Sequence, residues 1–126
     1  MGCVAKGYCV HHQFGSFRLP VPVQNALFRD FCRLNQFQFG LSINEIFGNR
    51  ENVNLIAFLR DINRGDISTL LVCSLNCFSR ELVNEIFDLL DGKAIRVWSV
   101  FEGVYADRKF VEAFFKADDE FPVADK

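Results

Sequence analysis

Two adjacent histidines, His11 and His12, two glutamates, Glu45 and Glu102, and one arginine, Arg18, are the residues whose types fit acid–base chemistry on a small polar or anionic molecule. Imidazole changes charge near neutral pH, a carboxylate can take up or return a proton, and a guanidinium neutralises an anion. His11, His12, Glu45 and Glu102 are the expected catalytic groups. Arg18 heads the expected ligand contacts, with Ser16, Gln24, Asn44, Ser74 and Asn76 beside it. The strand ends that these residues follow group them; no motif does. Strand ends are rich in polar residues whatever their task, so each residue also has an ordinary reading. Adjacent histidines in a strand point to opposite sides, which leaves one as a structural hydrogen-bonder. Glu45 and Glu102 can be solvated acids, and Arg80 is expected merely to pair with Glu81 or Glu85.

For these side chains to meet, the strands must run parallel with their carboxyl ends on one edge. Residues 7–11 form a short apolar strand, and residues 13–20 a loop. Pro22 suits a first helical turn, after which Val23, Ala26, Leu27, Phe31 and Leu34 recur at helical spacing to about Asn35. Residues 36–43 alternate Phe37, Phe39, Leu41 and Ile43 with polar or small residues, the period of a strand covered on one face. Leu55, Ile56, Leu59 and Ile62 mark a second helix, stopped at Arg64-Gly65-Asp66 with Gly65 as a left-handed cap. Residues 67–73 are a continuous apolar run, as in a central parallel strand. Ser79 is expected to cap a third helix that turns Leu82, Val83, Ile86, Phe87 and Leu90 inward. Asp91-Gly92-Lys93 leads into a strand over residues 94–101, and residues 107–116 form a last, Phe-rich helix.

This order predicts a three-layer α/β domain, flavodoxin-like: four parallel strands in the order 2-1-3-4 with helices on both faces. Ligands are expected at the carboxyl ends of the strands, near the switch point between the first and third. A single domain covers residues 1–117, and residues 118–126 form an acidic tail.

Composition narrows the partners. The formal net charge is −2, with the basic residues scattered among carboxylates, which gives no basic stripe for nucleic acid. The five cysteines, Cys3, Cys9, Cys32, Cys73 and Cys77, are odd in number and irregular in spacing. They lack the paired spacing of a zinc site, so no metal is expected and buried free thiols are. Gly15-Ser16-Phe17 lacks the repeated glycines of a dinucleotide loop, and no cofactor is expected. The start lacks a signal-peptide layout and no apolar run approaches membrane-spanning length, which predicts a cytosolic chain without membrane partners. Phe outnumbers Tyr and Trp fifteen to three. Phe has no hydrogen-bonding handle, so the rings near Phe110, Phe114 and Phe115 are expected to join copies of the chain into a dimer or higher cyclic oligomer.

Two stretches resemble known families. Leu75-Asn76-Cys77-Phe78-Ser79-Arg80, at the end of a buried strand, resembles the Leu-Asp-Arg-Leu-Ser-Arg region of serine recombinases (resolvases), without the acid and the first arginine. In that family a serine shortly after the Tyr-containing first strand attacks a DNA phosphodiester. Counting from Tyr8, the resemblance puts that position on or near His12, or on Ser16 after a small insertion. It implies a resolvase-like fold without strand cleavage. Lys6-Gly7-Tyr8, residues 15–24 with their Arg-x-Pro-Val-Pro-Val-Gln run, Arg29-Asp30-Phe31-Cys32 and Leu41-Ser42-Ile43-Asn44-Glu45 resemble the sporadic carbohydrate cluster protein family. These short bacterial proteins are encoded beside surface-sugar biosynthesis genes. That resemblance implies a pathway and no particular reaction. The functional expectation is therefore binding or transformation of a polar sugar, acidic or nucleotide-linked. The alternatives are a non-catalytic interaction module of a biosynthetic complex and a degenerate resolvase-like domain.

Overall fold

The computed structural model describes residues 3–11, 18–45 and 51–120. Strand β1 (Cys3–Val10) is followed by α1 (Val21–Asn35), two short strands β2 (Phe37–Phe39) and β3 (Ile43–Glu45), and α2 (Val53–Asp61). Strand β4 (Thr69–Val72), two 3-10 turns (Leu75–Cys77 and Arg80–Leu82), α3 (Val83–Gly92), β5 (Arg96–Ser99), β6 (Val104–Ala106) and α4 (Arg108–Glu120) complete the chain. The sheet runs β2-β1-β4-β5-β6, with β3 continuing beside β1. All neighbours pair in parallel except β6, which returns antiparallel along β5.

The sheet is thus mixed and six-stranded, not the four-stranded parallel sheet that the sequence predicts. The order of its parallel members, with helices on both faces, is the expected one. The extra strand comes from a hairpin at Glu102-Gly103. Gly103 takes φ +68°, and its N–H donates to the Ser99 carbonyl, turning Val104–Ala106 back along β5. Glycine reaches that left-handed conformation without the Cβ penalty.

The other difference lies between β2 and β3. Ala5 pairs with Phe39 and Tyr8 with Ile43, so four steps along the edge match three along β1. This one-residue bulge turns Leu41 out to 85% exposure. It also changes the face on which the later residues lie. Phe37 and Phe39 share the face of α1, where they meet Phe31 and Phe28. Ile43 and Glu45 face α2 instead. Strict alternation, the basis of the expected single strand, cannot show such a slip.

Gly7 explains how closely α1 lies on the sheet: a Cβ there would stand 2.4 Å from the Phe28 ring and 2.7 Å from the Ser42 hydroxyl. On the opposite face, Lys6 sits over Phe58 of α2, and α2 and α3 pack side by side. Strand β4 is buried along its whole length, as its apolar run predicts. The second helix ends at Asp61 with Ile62 as its cap residue; Gly65, φ +96°, serves a later turn instead. Ser79 precedes a 3-10 turn, and its hydroxyl donates to Glu81 without capping α3.

Helix α4 packs on α3. Val111 and Phe115 are buried, and the Arg108 guanidinium reaches Asp88 at 2.7 Å and Asp91 at 3.3 Å. Those two apolar side chains need no second copy to cover them, whereas Phe110 stays 41% exposed. The helix runs to Glu120, three residues past the expected domain end. No helix among the described residues is long and apolar enough to cross a membrane.

Candidate site at the carboxyl edge of the sheet

Parallel pairing puts the exits of β1, β3, β4 and β5 on one edge, and most of the nominated residues lie there. They do not form one constellation. Glu45, 2% exposed, accepts from the Tyr8 hydroxyl at 3.0 Å and from the N–H groups of Asn54 at 3.2 Å and Leu55 at 2.9 Å. It therefore supplies two of the amide partners that the first turn of α2 lacks within the helix. A negative charge at a helix amino end is also favoured by the dipole.

Tyr8 in turn accepts from Asn52 Nδ2 at 2.6 Å. Asn52 also donates to the Cys77 carbonyl at 2.9 Å and accepts from the Ser79 N–H at 2.7 Å. The buried Asn52 thereby ties β1 and α2 to the loop after β4. Burial, and less strongly the nearby Glu45 carboxylate, push the Tyr8 phenol well above its ordinary range. It stays protonated and donating.

Glu102 belongs to a second network. It accepts from the hydroxyls of Ser74, at 3.2 Å, and Ser99, and from the Leu75 N–H at 2.9 Å. Ser74 accepts from the N–H and the side-chain amide of Asn76, at 3.2 and 3.3 Å. Here the loops after β4 and β5 are fastened to each other. Asn44, half-buried, donates to the Ser42 carbonyl, and its own carbonyl accepts from Asn54 Nδ2.

Gln24, fully buried, behaves like an extra strand residue. It accepts from the Val10 N–H at 3.2 Å and donates at 2.8 Å to the carbonyls of both Val10 and Leu19. The first turn of α1 is thus clamped to the end of β1. Beside it, Asn25 Oδ1 accepts from the Ser42 hydroxyl and, at 3.6 Å, from the Cys9 thiol.

His11 and Arg18 remain. Both are exposed, and Arg18 Nη2 donates to the His11 carbonyl at 3.4 Å. With Leu19, Pro20 and Val21 they line a cavity of about 320 Å³ at the amino end of α1. No carboxylate is among its described lining residues, and the first turn of α1 carries no acidic side chain. The helix dipole and Arg18 therefore both favour an anion there. His12 and Ser16 lie outside the described residues.

Sequence reasoning overlooked Tyr8, Asn52, Asn25 and Ser99. Asn52, just before an apolar run, is a residue type that often opens a helix and could have been noticed. Tyr8 gave no signal, because its partners Glu45 and Asn52 lie 37 and 44 positions away. Ser99 lies three residues before its partner Glu102, a spacing that by itself points to no contact. Among the described residues no group of three or more His, Cys, Asp or Glu could hold a metal ion.

No family model matches the chain, and no curated protein matches its sequence. The resemblance to the sporadic carbohydrate cluster family thus has no counterpart in these comparisons. Solved structures do match in fold. A resolvase family site-specific recombinase from Streptococcus pneumoniae superposes with a TM-score of 0.61 at 14% identity, over 91% of this chain and 88% of that one. The N-terminal catalytic domain of TP901-1 integrase gives a TM-score of 0.61 at 14% identity, over 94% and 99%. The chain has the α/β fold of resolvase-type catalytic domains.

Proposed function

We propose that this chain is a resolvase-fold binding domain that takes an anionic small molecule in the His11–Arg18 cavity and does not cut DNA. The observation that carries this reading is the division of charge at the carboxyl edge. Glu45 and Glu102 are turned inward onto amides and hydroxyls, whereas Arg18 lines an open cavity at the amino end of α1, whose first turn carries no acidic side chain. Glu45 and Glu102 then act as structural acceptors, and binding falls to His11, Arg18 and the α1 terminus. Acidic and nucleotide-linked sugars are the ligands to test first, because the sugar-cluster resemblance supplies that class and the cavity's charge suits it. Such a role fits a cytosolic protein of surface carbohydrate biosynthesis.

A thermal-shift screen with these compounds tests the reading. A ligand at a hundred times its Kd adds about 2.7 kcal/mol. The stabilisation should vanish in Arg18→Ala and weaken in His11→Ala. A hit that survives Arg18→Ala unchanged, or a screen in which neutral sugars alone bind, would remove the proposal.

Self-association is a further part of this reading, carried by Phe110, the ring of the C-terminal helix that stays 41% exposed. Light scattering at micromolar concentration checks it. A dimer mass that Phe110→Asp lowers to that of a monomer supports the interface, and a monomer mass for the native chain removes it.

A further inference from the structure

Between α2 and the turn that leads into α3 lies a groove of about 540 Å³, a size that commonly accommodates a ligand. Its floor is aliphatic, formed by Val53, Ile56, Ala57 and Leu82. Val53 is 51% exposed although it opens a helix with a buried stripe. Among its described lining residues the rim carries three glutamates, Glu51, Glu81 and Glu85, and one guanidinium, Arg60, which is paired with Glu85. The neighbouring Arg80 is turned to the other side of α3, with its guanidinium 4.9 Å from the centre of the Phe115 ring. The groove shares no lining residue with the His11–Arg18 cavity, and its charge is of the opposite sign.

We infer that this groove docks a basic, apolar segment of a partner protein, with an aliphatic side chain on the Val53–Leu82 floor and flanking Lys or Arg at the glutamates. An aliphatic floor between two helices is the setting in which amphipathic segments bind. The carboxylate excess selects the sign of the flanking charges and repels acidic segments. The Arg60–Glu85 pair bridges α2 and α3 at the rim. The inference is independent of the proposed anion cavity and survives if that cavity is empty in the cell.

The probe is an acetylated, amidated Lys-Leu-Leu-Lys-Leu-Leu-Lys peptide, titrated into the full chain and followed by methyl NMR. The expected result is a set of shifts concentrated on Val53, Ile56 and Leu82. Affinity should drop by about tenfold in Glu81→Lys, and the Glu-Leu-Leu counterpart peptide should bind the native chain more weakly than the Lys peptide. Val53→Ser changes an exposed floor position without touching the core, so it should weaken binding while leaving the methyl spectrum elsewhere intact. Shifts spread evenly over the surface, equal binding of the two peptides, or affinity unaffected by both substitutions would overturn the inference.

Discussion

Glu45 shows how a residue of the right type at the right edge can serve the fold. Its carboxylate is buried under the first turn of α2 and carries two amides and the Tyr8 hydroxyl. Glu45→Ala strips those donors of their acceptor and should cost about 3 kcal/mol, since a buried unpaired donor carries its full desolvation penalty. Urea denaturation measures this, and a cost below about 0.5 kcal/mol would show that water replaces the carboxylate. The thiols give a pH prediction. Burial raises Cys9 to about 11, and burial with a smaller contribution from the nearby Cys9 raises Cys73 to about 12. The folded chain favours the protonated form of both. Their contribution is complete below the ordinary thiol range near 9 and is lost as pH rises through 11 and 12. Stability should therefore fall from pH 9 upward, and less so in Cys9→Ala/Cys73→Ala. At pH 8 a thiol reagent should label Cys3, the exposed cysteine, well before the four buried ones. The residue types at the edge were legible in the sequence. The direction in which each side chain turns was not, because it depends on partners such as Tyr8 and Glu45 that meet across 37 positions.

At the scale of elements, two local devices set the site. The bulge between β2 and β3 transfers Glu45 from the face of α1 to that of α2, and Gln24 fastens α1 to the end of β1. Gln24→Ala would leave the buried Val10 N–H and carbonyl, and the partly buried Leu19 carbonyl, without their partner. The expected loss is about 3 kcal/mol, with exchange of the Val10 amide accelerated in hydrogen-exchange NMR. Unchanged protection at Val10 would mean that the clamp is dispensable. Gly7→Ala tests the close approach of α1: with the Phe28 ring 2.4 Å from the new methyl, helix and sheet must separate, at about 1–3 kcal/mol. Helices with long apolar stripes could be read from periodicity, since their faces repeat locally. The bulge and the β5–β6 hairpin could not be read that way. A three-residue strand gives too few alternations, and a bulge breaks the alternation that would reveal it.

The whole molecule has the fold of resolvase-type catalytic domains, and the resemblance of residues 75–80 sets a cysteine where the motif has its first arginine. Cys77 occupies that place, fully buried, with its thiol pushed above its ordinary range chiefly by burial. Its carbonyl is taken by Asn52. Asn76, in place of the acid, is bound to Ser74. Neither Asn76 nor Cys77 brings a positive charge to the loop, and the net charge of −2 gives DNA no general attraction. Incubation with supercoiled plasmid should leave the plasmid intact and yield no covalent protein–DNA adduct, with Ser16→Ala indistinguishable from the native chain. Nicking that disappears in Ser16→Ala would overturn this. Restoring the motif arginine should not create the activity: Cys77→Arg forces a long charged side chain into a fully buried place between the Asn52 and Glu102 networks, and overpacking together with burial of the charge costs several kcal/mol. The expected product is an unfolded or aggregated chain, seen as loss of the cooperative thermal transition. A folded Cys77→Arg protein that binds DNA more tightly than the native chain would show that the loop can open outward.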